Sequence, residues 1–201
     1  MHAPDQPASP AAAPPAAALA AEVGLRLREL RTARGLSLSE LARRAGLGKA
    51  TLSGLEAGSR NPTLETLYAL TTALGLPLSA ALPPAALPTA DSTVPPGSSH
   101  ISGHLLDAVL LDRHEDAEAV TETYRLRVRP GGVRRSGAHT PGSTEHLVVL
   151  SGTARAGDAA SPVRVGPGGH HTWAADAPHV YEAIGGEVVA VLLVRHPHPG
   201  G

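Results

Sequence analysis

Apolar positions along this chain follow two rhythms, one on each side of a proline-rich break. From Val23 to Leu82 leucines and alanines recur at helical spacing, and residues 37–62, SLSELARRAGLGKATLSGLEAGSRNP, predict two short helices joined by a glycine turn. Ser37 and Glu40 stand in capping-box spacing: the hydroxyl is expected to accept the Glu40 amide and the carboxylate to reach back, which starts a helix. Leu41, Ala42 and Ala45 give that helix one apolar stripe and Gly46 breaks it. Leu52 and Leu55 supply the buried side of a second helix, expected to end at Gly58. A turn this short suits a helix-turn-helix crossing.

Beyond residue 100 the helical rhythm gives way to short β-rich runs: HLLDAVLL, TETYRLRVRP, EHLVVLSG, HVYEAI and EVVAVLLVRH. Tyr124, Leu126 and Val128 alternate with Thr123, Arg125 and Arg127, as in a half-buried strand, while VVAVLLV is apolar enough for an interior one. Glycines punctuate these runs at the spacing of a small all-β sandwich or barrel. The predicted fold class is therefore α + β in two domains. Residues 1–19, rich in Ala and Pro with no basic start and apolar core, are expected to form a disordered tail and not a signal peptide. A helical domain is expected over 20–82, a Pro/Ser-rich linker over 83–100 and a β domain over 101–197.

Composition and charge sharpen this division. The absence of cysteine removes disulfides and thiolate metal sites. No apolar run approaches the roughly 20 residues needed to cross a bilayer, so the expected location is cytoplasmic with no membrane partner. A near-neutral total conceals an asymmetry: residues 22–62 hold 8 Lys plus Arg against 4 Asp plus Glu, whereas residues 83–201 hold 9 against 12. A locally basic module beside a mildly acidic one fits phosphate attraction, and because its surplus is modest a homodimer is expected.

With VGLRLRELRTARGLSLSELA, GLEAGSRNP and TLETLYALTTALGL, the segment from about Val23 to Leu82 resembles the lambda-repressor-like (XRE) helix-turn-helix family. The resemblance implies an all-α bundle and a double-stranded DNA operator as partner. It assigns Arg31 and Glu56 to a buried ion pair between the first helix and the reader helix. The reader helix would enter the major groove by its first turn, offering Lys49, Ala50, Thr51 and Ser53. Ser39 and Arg43 on the preceding helix, with Arg60 and Asn61 in the following loop, complete the expected DNA-binding set, and Arg44 is a further candidate for phosphate. Lys49 suits a guanine edge or a phosphate equally. Gly54 stands where relatives often carry a long polar side chain, so readout there is expected to lean on DNA shape.

PGG at 130–132, HTPGSTEHLVVLSG at 139–152 and VGPGGHHTWAADAPHVYEA at 165–183 resemble the two motifs of the cupin barrel, over about residues 101–197. A helix-turn-helix followed by a small cupin is the layout of XRE–cupin regulators, in which the all-β barrel, or jelly roll, senses a small-molecule effector or dimerises. Metal-binding cupins offer two His, one Glu and a third His to a divalent ion. Anchoring on PGSTE puts Glu145 on the carboxylate position and His179 on the second-motif histidine, with Ala138 and Thr140 in the other two. His139 lies between them and is expected to point away unless a loop or bulge turns it inward. A register shifted by one makes it a ligand, with Pro141 in its partner's place.

One ligand is missing in either register. The favoured reading is a metal-free pocket in which His139, Glu145, His179, Tyr124 and Tyr181 orient a small polar effector, with Trp173 and Arg125 as candidate walls. A divalent metal ion held by His139, Glu145 and His179 is the alternative. His146, His170 and His171 are expected at the surface or already satisfied. The whole reads as a DNA-binding regulator, expected to be a repressor, without enzymatic activity. A metal-dependent cupin enzyme and an antitoxin-like protein-interaction module are the competing classes.

Overall fold

Ser37 accepts the Glu40 amide at 3.1 Å and so starts α2 (Leu38–Arg44). The expected reciprocal bond does not form: the Glu40 carboxylate takes Arg43 Nε and Nη2 at 3.2 and 2.9 Å and Arg44 Nε at 2.8 Å. Charge-assisted bonds to two guanidinium groups outcompete one backbone N–H, and they lower the Glu40 carboxyl to about 2. Gly46, at φ 65°, turns the chain into α3 (Lys49–Glu56), which Gly58, at φ 68°, terminates. The Thr63 hydroxyl accepts the Thr66 amide and caps α4 (Leu64–Leu74), and a short 3-10 turn follows at Leu78–Ala81.

The computed structural model describes residues 16–82 and 100–198; residues 1–15 of the tail expected over 1–19, and residues 83–99 of the linker expected over 83–100, lie outside the described residues. The first helix, α1 (Ala16–Ala33), begins inside the stretch expected to be tail. Its alanines are strong helix formers, and burial of Ala20 and Val23 anchors its opening turns. α1 crosses α3 at Gly24, where an added Cβ would stand 2.2 Å from the Leu55 carbonyl oxygen, so only glycine permits that approach. Leu27, Leu41, Leu52, Leu64, Leu67 and Leu70 close the core of this unit.

Ten strands follow among the described residues: β1 (His100–Ser102), β2 (Leu106–Glu115), β3 (Ala119–Val128), β4 (Val133–Ser136), β5 (Thr144–Ser151), β6 (Ala154–Asp158), β7 (Val163–Val165), β8 (His170–Ala174), β9 (His179–Ala183) and β10 (Val188–Pro197). They pair antiparallel as a six-stranded sheet, β1-β2-β3-β10-β5-β8, and a four-stranded sheet, β4-β9-β6-β7. Together the two sheets make a cupin-type jelly roll. Leu110, Tyr124, Leu126, Leu147, Val149, Ala190 and Leu192 fill the space between them, each on the inward phase of its strand. The five apolar runs of the sequence correspond to β2, β3, β5, β9 and β10; the other strands are short.

The helical unit sits on one end of the barrel through α4 and the 3-10 turn. Ser79 N donates to Glu122 Oε1 at 3.0 Å, Arg113 Nε to Ser79 Oγ at 3.1 Å, and His104 N to Glu65 Oε1 at 3.2 Å.

Candidate functional site

Two surfaces concentrate the chemistry. The first is the outer side of α3. Burial of Leu52 and Leu55 on one side of this helix leaves Lys49, Ala50 and Ser53 exposed on the other, with Thr51 and Gly54 half-buried. Ser39, Arg43, Arg60 and Asn61 are exposed as well. The orientation of α3 is held by Arg31, whose Nε and Nη2 donate to the two Glu56 oxygens at 2.7 and 2.8 Å while Nη1 donates to the Leu36 carbonyl at 2.9 Å. The Glu56 bond raises the Arg31 pKa despite burial. At Gly54 an added Cβ would lie 3.1 Å from Arg60 Cδ and 3.3 Å from its Nε. The Arg60 side chain therefore lies across the helix at the position where Gly54 has none.

The second is the barrel interior. β4 ends at Ser136, so His139 belongs to a loop and the strand alternation that would turn it outward does not apply. Its Nε2 comes to 2.9 Å from Glu145 Oε1, and its ring centroid lies 5.1 Å from that of His179. Tyr181 donates its hydroxyl to Glu145 Oε2. The side chains of His139, Glu145 and His179 are 4%, 1% and 1% exposed, so the cluster is shut off from water.

The electrostatics of this cluster turn on Glu145. Burial would raise its carboxyl, but the two imidazoles outweigh burial and hold it well below the usual carboxylate range. Burial would likewise lower His179, yet the facing carboxylate raises it. His179 Nδ1 lies 3.0 Å from the Ala177 carbonyl, which fixes the ring, and its Nε2 faces Glu145 Oε2 at 3.4 Å without a hydrogen-bond partner. A carbonyl that takes the Nδ1 proton leaves Nε2 with a lone pair aimed at an anion. Such an arrangement calls for a proton or a cation between them. The donor atoms of His139, Glu145 and His179 lie within 4.8 Å of one another, a spacing that fits a divalent first-row ion.

Tyr124 lies elsewhere in the interior from where the sequence suggested. Its hydroxyl donates to Glu122 Oε2 at 2.5 Å, in a second buried cluster with His196, whose Nε2 is 3.9 Å from the same oxygen. Burial raises Glu122, against the opposing bonds from Ser79 and Tyr124, and burial with the nearby His139 charge lowers His196 to about 4. His196 joins the two clusters: its ring is 5.5 Å from that of His139, and Nδ1 is 3.2 Å from Ser143 Oγ. Arg125 is exposed and directed outward with Arg127, so it is no part of this interior. Trp173, opposite Glu145 in the β5–β8 pair, does face inward. His146 and His170 stack on each other at 5.2 Å, and His171 packs beside Trp173.

Sequence reasoning missed Glu122, His196, Tyr68 and Arg134. Tyr68, on α4, puts its ring 5.7 Å from His139. With the Ser79–Glu122 bond, it gives the helical unit a contact with each buried cluster.

The chain thus joins a helix-turn-helix unit to a jelly-roll barrel with a polar interior, and it is similar to transcriptional regulators. The family model HTH_3, described as helix-turn-helix, matches residues 27–80. The chain is similar to the HTH-type transcriptional regulator SutR of Escherichia coli, 28% identical over 172 residues that cover 85% of this chain and 93% of the relative. An uncharacterized HTH-type transcriptional regulator, y4dJ of Sinorhizobium fredii, is 46% identical over 54 residues, 27% of this chain and 70% of that protein. Among solved structures, an HTH_3 family transcriptional regulator from Vibrio cholerae shares the fold with a TM-score of 0.74 and 24% identity, covering 92% of this chain and all of its own. Among the described residues no helix is long and apolar enough to cross a membrane.

Proposed function

We propose that α3 reads an operator in the major groove and that the barrel senses a small-molecule effector which alters operator binding, most simply as a repressor acting in the cytoplasm. The observation that carries this reading is the bare outer face of α3: Lys49, Ala50 and Ser53 stand exposed on a helix whose opposite face is locked by leucines and the Arg31–Glu56 pair. Lys49, Arg43 and Ser39 supply phosphate and base contacts, with Asn61 on the flanking backbone. Arg60, lying across Gly54, takes the place of the absent side chain there and adds a second cation to the reader surface.

One reader helix spans too few base pairs for useful selectivity, so a twofold dimer with half-sites about 34 Å apart is the operator-binding form. Its interface is the outer face of the six-stranded sheet, where Val148 and Val191 pair across β5 and β10 and where Leu150 and Leu193 are 54% and 37% exposed.

His139, Glu145, His179 and Tyr181 are the effector-binding groups. An occupant that rearranges this cluster bears on Tyr68 and on the Glu122–Ser79 bond, and so on the seat of the helical unit; unequal affinity for two arrangements of that seat is what couples the sites. If a divalent ion is bound, His139, Glu145 and His179 hold it, and it supplies a Lewis-acid anchor for the occupant. That donor set is what favours the second reading, a metal-dependent activity. Metal content of wild type and Glu145→Gln, purified without chelators, tests it.

The experiment for the main reading is binding of the chain's own upstream DNA across a salt series. Binding is expected to weaken steeply with salt and to be lost in Lys49→Ala with Arg43→Ala. Salt-insensitive binding, or none, would favour a protein-interaction module instead.

A further inference from the structure

The barrel rim carries a guanidinium that the other described residues leave without a carboxylate. In the antiparallel β4–β9 pair Arg134 stands opposite Tyr181 and Ser136 opposite His179. Residues directly opposite share a face, so Arg134 belongs to the same inward side as the His139, Glu145 and His179 cluster. Arg113, Arg127, Arg129, Arg155 and Arg195 of the barrel each hold a carboxylate. Among the described residues none pairs with Arg134, whose Nη1 donates to the backbone carbonyl of Arg135.

This guanidinium borders an opening. A cleft of about 290 Å³ between the helical unit and β4 is lined by Arg44, Glu65, Tyr68, Arg134, Arg135 and Gly137. Its one acid, Glu65, accepts the His104 amide. Tyr68 closes the inner end against His139. Beyond it the Glu145 carboxylate is engaged by His139, His179 and the Tyr181 hydroxyl. Arg134 also opposes the upward pKa shifts of Tyr68 and Tyr181, which places its charge within reach of the interior.

We infer that Arg134 is the counter-ion for an anionic group, carboxylate or phosphate, on the small molecule that occupies the barrel, and that this molecule enters between α4 and β4 past Tyr68. A planar fork of N–H donors at the rim matches either oxyanion with two parallel bonds. A cleft of this size suits a small metabolite and not a polymer. The inference names the ligand class of the sensing site proposed above and rests on that reading.

Trp173, the chain's single tryptophan, is the reporter: its ring lies 5.9 Å from Tyr181 and 6.2 Å from His179. The full-length protein is titrated at constant ionic strength with succinate, inorganic phosphate, succinamide and 1,4-diaminobutane, with Trp173 fluorescence and upstream-DNA affinity read in the same samples. Succinate or phosphate is expected to give a saturable fluorescence change and the neutral diamide and the diamine none; which anion responds identifies the group recognised. In R134Q the response should weaken by at least about tenfold, and R134K, which keeps the charge but not the two-bond fork, should recover part of it. Both substitutions keep a long side chain, so a folding defect common to the two is distinguishable from a loss confined to R134Q.

No response to either anion, an equal response to the diamide or diamine, or an undiminished response in R134Q overturns the inference. The two readings fail separately. A diamide or diamine response that shifts DNA affinity keeps sensing and ends the anion assignment. An Arg134-dependent anion response with no change in DNA affinity keeps the anion site and ends sensing.

Discussion

The helical unit and the barrel solve burial in opposite ways. Around α3 the interior is leucine, with one charged pair whose four bonding atoms are matched two to two. Inside the barrel Glu122, Glu145, His179 and His196 are all buried, and one of their nitrogens has no hydrogen-bond partner. A leucine core holds a shape, whereas a dry interior crowded with titratable groups carries a desolvation cost that a partner from outside can offset. Under the proposed function, this contrast gives rigidity to the helical unit and responsiveness to the barrel.

Truncating the leucine core of the helical unit should have the greatest consequence. Leu52→Ala should cost about 3–4 kcal/mol, read from denaturant midpoints by circular dichroism, and should abolish DNA binding. A loss below about 1 kcal/mol would mean that the core around α3 is not what holds it. Breaking the buried pair comes next: Arg31→Ala should cost about 3 kcal/mol because it strands Glu56. The double change Arg31→Met with Glu56→Met should restore most of the stability while leaving DNA affinity lower, since the pair sets orientation more than it adds energy.

The barrel half is sharpened by pH. His196 titrates at about 4 in the folded chain against 6.5 unfolded, so its neutral form is the one folding favours. Its contribution is complete above pH 6.5 and is lost as pH falls toward 4, by at most about 3 kcal/mol. Urea midpoints over that range should fall for wild type, and the fall should be smaller in His196→Asn. Parallel curves would remove His196 from the buried network. The smallest expected effect is at the reader surface: Gly54→Gln should displace Arg60 and change operator affinity by about 1 kcal/mol, with the folded stability of the unit altered little.

Much of this was legible in the sequence, and the gaps have physical causes. The helix-turn-helix was readable because caps, glycine breaks and leucine stripes are local signals. Glu122 was readable in principle: it lies two residues before Tyr124, on the inward phase of the same alternation, as His196 lies two residues beyond Val194. His139 stood between two outcomes, outward by strand alternation or inward from a loop, and the end of β4 at Ser136 decides for the loop. Tyr68 and Arg134 could not be found that way. One depends on how two units dock, and the other on the register of β4 against β9, and neither is encoded in spacing along the chain.

On the proposed function the exposed face of α3 lies in the major groove, and the absence of cysteine makes a direct measurement possible. Ser53→Cys, the chain's only thiol, is coupled to an iron–EDTA cleavage reagent and mixed with the upstream operator. Strand scission is expected in two symmetric clusters about 34 Å apart, and a control carrying the same reagent at Val163→Cys, exposed on β7 of the four-stranded sheet, should give none. Uniform scission no different from the free reagent, or cleavage from position 163 and not from 53, would rule out α3 as the groove-binding helix.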